Sequence, residues 1–380
     1  MTTDPTDELA PPWRAWHEQR PGTSLTHFDT AAAGRCSSSA QRAVAEHARR
    51  EAEIGAYIAE AEAAAVLQSA RSDLGGLLGV PPDGVAFVES ATAAQGALLR
   101  SWPLREGDAV AIVGSEWGPN LAAFADRGLR LTELRSDANG GLDLAHLERV
   151  VASDPPAAVH LTQVCAHRAL TQPISEAAAL CRTAGVPLWV DAAQALGHVD
   201  TACGADAVYA TSRKWMCGPR GVGVLGIAPQ WWPSLQVSRY VLAPSDEPTV
   251  RGLDSHDAHI AGRVGLAAAV RQFLAVGAPS VWRRLEEVGR LTRAALAELP
   301  SWQVVDEAGA PSAITAVRPS AGQDLAATQA RLLAEHSILT TVSTVARAPR
   351  ELTTPLLRIS PHVDCTTEQL SALRRALAAG

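Results

Sequence analysis

The sequence predicts an α/β fold: a mostly parallel central sheet with helices on both faces, joined to a smaller α+β C-terminal domain. Three observations carry it. Between residues 85 and 211 six short apolar runs alternate with helix-length stretches, the pattern of βαβ units. Five polar clusters each follow directly on one of those runs, which places them along one rim, where open parallel sheets bind ligands. Beyond about residue 250 the alternation stops, and two long helical stretches and isolated strands follow.

Taken in order, the elements begin with a Pro-rich start; residues 1–35 are expected to pack on the small domain and the active-site entrance. Residues 36–255 read as the large domain and 256–380 as the small one. Residues 39–78, rich in Ala, Glu and Arg, read as one or two helices ending at the turn Val80-Pro81-Pro82-Asp83-Gly84. The strand runs are 85–88, 109–113, 129–132, 158–161, 187–190 and 207–210, and the helices between them are 91–100, 121–127, 143–152 and 175–184. The stretch 224–250 reads as irregular, with Pro229 and Pro233 around two tryptophans and a continuation through Arg239-Tyr240-Val241. Helices over 260–276 and 280–299 and strands near 313–317 and 356–359 complete the chain.

Composition narrows the function. A net charge of −7 and scattered arginines leave no electrostatic footprint for nucleic acid. No stretch approaches a membrane span and no basic n-region precedes an apolar run, so the expectation is a cytoplasmic protein acting on a small molecule. Six cysteines show neither CxxC pairing nor metal-like spacing with histidine, which suggests no disulfide framework and no metal.

Lys214 is the sole lysine among 33 basic residues. Arginine stays protonated, so it neither forms a Schiff base nor serves as a neutral amine base, whereas a desolvated lysine does both. Carbonyl chemistry, and pyridoxal phosphate first, is what a solitary lysine in this place suggests. Ser90 and Thr92 precede a helix and form either an anion cradle or an ordinary N-cap. Asp191 follows the most apolar run, where a carboxylate needs a cation such as a pyridinium nitrogen. Trp117 could stack on a planar ring or fill the core. Thr211 and Arg213 flank the lysine and could complete a phosphate site. Arg358, on a late strand, reads as a carboxylate clamp or a surface ion pair.

These residues resemble the fold-type I pyridoxal-phosphate enzymes, in particular the class V aminotransferase group that includes cysteine desulfurases and isopenicillin N epimerase. The likeness runs from about His27 to Arg358 and is most specific at Val190-Asp191-Ala192-Ala193-Gln194, followed by Lys214 and Gly218-Pro219-Arg220-Gly221. It implies Lys214 as the coenzyme-bonding lysine, Asp191 as pyridinium partner and Gln194 as donor to the ring O3′. Ser90, Ala91, Thr92, Thr211 and Arg213 fall at the phosphate, Trp117 where a stacking His stands, Gln163 near the coenzyme oxygen and substrate carboxylate, and Arg358 at the substrate carboxylate. A homodimer with a shared active site is implied, although Ser255-His256-Asp257 replaces the usual cross-subunit phosphate contact.

Desulfurases carry a nucleophilic Cys shortly before the carboxylate-binding Arg; residues 337–357 contain none, which argues against persulfide chemistry. Within the group the chain is most similar to the C–S lyases of ergothioneine biosynthesis. That implies β-elimination from hercynylcysteine S-oxide, with Lys214 removing the Cα proton and pyruvate and ammonia as products. The alternatives are an epimerase or general cysteine-conjugate β-lyase on the same scaffold, or a non-catalytic coenzyme-binding protein. Tyr57 or Asp29 is a candidate for the substrate's trimethylammonium end, and His167 and Arg168 for the pocket lining, His167 being equally suited to a structural role.

Overall fold

The computed structural model describes residues 8–237, 249–320 and 322–379; the segment Arg239-Tyr240-Val241 lies outside them. After α1 (Pro11–Glu18) and the short β1 (Thr26–His27), the chain forms α2 (Ser38–Ile54) and α3 (Ala56–Leu78), so the 39–78 stretch is two helices meeting at Gly55. The Ser37 hydroxyl accepts from the Ala40 N–H and starts α2.

The alternating region builds β2 (Val85–Val88), α4 (Ala91–Ser101), β3 (Ala109–Ile112), α5 (Gly118–Asp126), β4 (Arg130–Glu133), α6 (Leu144–Ser153), β5 (Ala158–Thr162), α7 (Ile174–Ala184), β6 (Leu188–Asp191), β7 (Ala207–Thr211) and β8 (Gly223–Ile227). These strands make one seven-stranded sheet in the order β2-β8-β7-β6-β5-β3-β4. Only β8 runs against its neighbours, pairing antiparallel with both β2 and β7.

The irregular reading of 224–250 is therefore corrected at its start, where β8 is a fully buried strand. Two glycines in five residues hid it, because Gly is a poor strand former by propensity. At Gly223 the reason is proximity: an added Cβ would stand 2.5 Å from the Ser90 carbonyl carbon.

Period-two alternation explains the layering. Phe87, Ala111, Leu161, Val190, Val208 and Val224 face a core shared with α3, α6, α7 and a later helix. Val88, Val110, Trp189, Tyr209 and Leu225 face the opposite core, closed by α4 and α5. A sheet covered on both sides needs continuous apolar strands. Five of the seven strands are accordingly buried at every position, and only the edge strand β4 is not buried at all.

Two long helices follow, α8 (Ile260–Val276), which packs on α2 and α3, and α9 (Ala278–Ala297). Then come β9 (Trp302–Val304), β10 (Thr315–Pro319), α10 (Leu325–His336), β11 (Ile338–Leu339), β12 (Thr341–Ser343), β13 (Leu356–Ile359) and α11 (Thr367–Ala378). The second sheet is antiparallel, β12-β13-β10-β9, and buries Val317, Leu357 and Ile359 against α9, α10 and α11. The N-terminal segment is held to this layer by β1 pairing with β11, and by a bridge from Asp29 to Ser360. Among the described residues no single helix is long and apolar enough to cross a membrane.

Candidate active site

The carboxyl ends of β2, β5, β6 and β7, with the first turn of α5, surround a cavity of about 580 Å³ with its solvent-open mouth included. Its wall includes Ser90, Ala91, Thr92, Trp117, Asp191, Gln194, Thr211, Arg213 and Lys214, nine of the residues expected from sequence. It also includes Asn120, Thr162 and Ala193, which the polar clusters contain without an assigned role, and Ala166, which nothing in the sequence singled out.

Lys214 lies three residues beyond the end of β7 in the cavity wall. Burial pushes its ammonium down to about 7; Asp191 opposes that shift, and Arg213, Arg358 and Arg347 reinforce it. A lysine so placed is partly neutral at ordinary pH, the state that carbonyl attack and proton abstraction both require. The segment carrying it is locked from behind. Trp215 stacks on His198 at 3.8 Å between ring centroids, and His362 stacks on Trp16 at 5.1 Å while its Nε2 meets the Trp215 carbonyl at 3.2 Å. Burial takes His198 down to about 3 and His362 to about 4, so both rings are neutral. The His198 tautomer follows: Nε2 accepts from the Ala313 N–H at 2.8 Å, so Nδ1 carries the proton and donates to the Gln194 carbonyl at 2.9 Å.

Asp191 ends β6 and is 4% exposed. Its Oδ1 accepts from the Ala193 N–H at 2.8 Å and its Oδ2 from the Asn120 amide at 2.9 Å. Burial raises its pKa, offset in part by those two donors and by Lys214. The same Asn120 amide donates to Glu116 at 2.9 Å. Glu116 in turn accepts from the Thr162 hydroxyl at 2.6 Å and meets His160 at 2.9 Å, and His160 reaches the Tyr209 hydroxyl at 2.8 Å. Although burial alone would raise it, the Glu116 carboxyl is held below its ordinary range, by His160 above all. A hydrogen-bonded chain thus runs inward beneath Asp191. Its one signal in the sequence was polar residues inside or just after apolar strands, Glu116 and His160 among them.

The anion cradle is built at the start of α4. Ser90 caps the helix by accepting from the Ala93 N–H at 3.1 Å, and the earlier N–H groups, on Ala91 and Thr92, have no intrahelical acceptor by geometry. Arg213 makes no side-chain hydrogen bond or ion pair among the described residues, and stands beside this cradle in the same wall. Helix N–H groups, the hydroxyls of Ser90, Thr92 and Thr211, and a guanidinium without a partner among the described residues fit a phosphate dianion. A desolvated amine and a buried carboxylate across the same cavity fit an aldehyde and a cationic ring nitrogen. The residues present therefore fit pyridoxal phosphate.

Several expected residues lie outside the cavity or have other partners as well. Gln163 is not brought to the cavity: it follows Thr162 on the other side of the strand end, and its amide donates to the Asp200 carbonyl at 2.6 Å. Gln194 lines the cavity, but its amide also donates to the Ala31 carbonyl at 2.9 Å, and its oxygen accepts from the Trp215 indole at 2.8 Å. His167 is fully buried and faces Glu351 at 3.2 Å, which gives it a structural place rather than one in the lining. Arg358 is fully buried, donates to the Ala166 carbonyl at 2.6 Å and meets Asp29 at 3.1 Å, so it stands one residue behind the wall. Tyr57 is 89% exposed at the start of α3, outside the cavity. Ser255-His256-Asp257 does not line it either; Ser255 and His256 border a separate hollow beside α3.

The model of the aminotransferase class-V family matches residues 27–373, from β1 into α11. The chain belongs to that family. It is similar to a probable hercynylcysteine sulfoxide lyase of Mycobacterium tuberculosis, 44% identical over 98% of this chain and 94% of the relative. A cysteine desulfurase of Dickeya dadantii is 26% identical over 65% of each chain. Among solved structures, the complex of a cystine C–S lyase with its product cysteine persulfide matches with a TM-score of 0.82 at 18% identity, over 94% of this chain and 98% of that one. An apo cysteine desulfurase from Thermococcus onnurineus also gives 0.82, at 18% identity and over 93% and 94% of the two chains. These structural likenesses establish the fold, a fold-type I architecture.

Proposed function

We propose that the protein is a pyridoxal-phosphate-dependent C–S lyase that cleaves hercynylcysteine S-oxide by β-elimination, working in the cytoplasm as a homodimer with a shared active site. The observation that carries the elimination reading is a desolvated Lys214 facing Asp191 across a cavity that no nucleophilic thiol enters. All six thiols are pushed upward by burial, Cys165 and Cys181 to about 12, so none is a ready thiolate. The substrate is suggested by near-full-length likeness to the mycobacterial lyase.

When bound, pyridoxal phosphate supplies an aldehyde for the substrate amine and a ring that withdraws electrons from Cα. Asp191, fixed by Asn120 and Ala193, would hold the ring nitrogen protonated. Ser90, Thr92, Thr211, Arg213 and the α4 N–H groups would hold the phosphate. Arg358 would leave Asp29 for the substrate carboxylate, the better-matched bidentate partner. Lys214, neutral in these surroundings, would take the Cα proton onto Nζ. The electron pair freed from the Cα–H bond would form a Cα=Cβ bond as the Cβ–S bond breaks and its own pair leaves on sulfur as a sulfenate, a better leaving group than a thiolate. Water completes the release of pyruvate and ammonia.

The test is a pyruvate assay of the holoenzyme with hercynylcysteine S-oxide and, separately, with cysteine. Pyruvate from the sulfoxide is expected. Turnover of cysteine alone would refute the substrate assignment.

A further inference from the structure

The cavity and the layer around it gather more positive charge than a phosphate and one carboxylate call for. Arg213 stands beside the phosphate cradle and Arg358 behind Ala166, and a further guanidinium, Arg347, is left over. It lies on a short turn, residues 345–347, of the second domain. An added Cβ on Gly118 would stand 2.1 Å from the Ala346 carbonyl oxygen, so that turn lies directly on the first residue of α5. From there Arg347 places its guanidinium carbon 5.6 Å from the ring centroid of Trp117, which lines the cavity. It makes no side-chain hydrogen bond or ion pair among the described residues. Its charge is felt at Lys214, Arg213 and Arg358 together, and the carboxylate acting on it is Asp29, which is already engaged by Arg358.

An unpaired, half-buried guanidinium among three other cations is costly unless an anion arrives. We infer that Arg347 is a specificity residue that receives a second carboxylate, the one at the far end of the substrate. This deepens the reading above and rests on it: a betaine end carries a carboxylate remote from the reacting amino acid, whereas cysteine and simple cysteine conjugates carry none. The turn that brings Arg347 falls in the same 337–357 stretch that lacks a cysteine. The guanidinium, within cation–π reach of Trp117, is partly placed before a carboxylate arrives.

The experiment compares wild type and Arg347→Gln holoenzyme on three substrates: hercynylcysteine S-oxide, S-(2-carboxyethyl)cysteine S-oxide and the uncharged S-propylcysteine S-oxide. Ergothioneine binding by calorimetry gives a readout independent of turnover. For the two substrates with a distal carboxylate, kcat/KM should fall by about 10- to 100-fold, mostly through KM, the loss of one charge-assisted contact. The propyl compound should change by less than about twofold, and ergothioneine should bind about tenfold or more weakly. Equal losses on charged and uncharged substrates, or none on either, would overturn the inference. So would weakened pyridoxal phosphate retention, since that assigns Arg347 to the phosphate. Wild type that ignores the hercynyl compound but eliminates from the carboxyethyl one defeats the substrate assignment, and leaves the charged-versus-neutral comparison to decide Arg347.

Discussion

At the scale of single residues, the chemistry turns on how one amine is made neutral. Lys214 drops from 10.5 to about 7 chiefly because its surroundings exclude water, and three guanidiniums push the same way while Asp191 pulls back. A lowered lysine is a base only above its shifted value. The rate at which apoenzyme captures pyridoxal phosphate should therefore rise with pH through about 7 and then level off; a rate still climbing toward 10.5 would place the amine at its ordinary value. Lys214→Ala should abolish borohydride-fixed coenzyme and lower pyruvate formation by about 10²- to 10⁴-fold or more, the usual weight of a positioned base. Asp191 and Lys214 were legible because each residue type is out of place: a carboxylate after the most apolar strand, a lysine in a chain of arginines. Asn120 carried no such signal, because an amide is unremarkable in the first turn of a helix.

At the scale of elements, the phosphate cradle depends on a strand that supplies none of its donors. β8 lies against the start of α4, and Gly223 lets the two backbones touch. Gly223→Ala should force the Ser90 turn outward, costing about 1–3 kcal/mol of stability from overpacking, seen as a lower thermal midpoint with weaker coenzyme retention. Unchanged coenzyme affinity would show that the cradle is set by α4 alone. The five strands with parallel neighbours could be read from their apolar runs; β8 could not, because its glycines answer to a contact that is not local. Gln163 was misplaced for a related reason. At the end of a strand one residue's shift in sequence moves a side chain to the other side, and only register against β6 settles which.

At the scale of the whole molecule, the two sheets are tied together beside the site. The loop after β5 delivers the Ala166 carbonyl to Arg358 on β13, and His167 and Arg168 to Glu351 just ahead of β13. Burial alone would raise the Glu351 carboxyl, but His167 and Arg168 hold it below its ordinary 4.5. A depressed carboxyl contributes stability above its unfolded value, and that contribution is lost as pH falls through the folded one. Glu351→Gln should accordingly cost about 1–3 kcal/mol of stability at neutral pH, seen as a lower thermal midpoint, and the difference from wild type should shrink as pH falls below 4.5 and vanish once it has passed the depressed folded value. A gap that persisted in acid would mean that the side chain acts by packing. Asp29 belongs to the same scale: it closes the circuit by engaging Arg358 from the N-terminal segment, across 329 residues of chain.

By itself the sequence determined which residues can do chemistry here and on which rim of which kind of sheet they gather, because residue type and local periodicity are properties of short stretches. The tertiary structure decided what each polar group is bonded to. It turned Gln163 and His167 away from the cavity, set Asn120, Glu116 and His160 in line beneath Asp191, and brought Arg347 to Trp117 from a turn far along the chain. Those outcomes depend on contacts between segments far apart in the chain, whose energies enter only once the chain is packed.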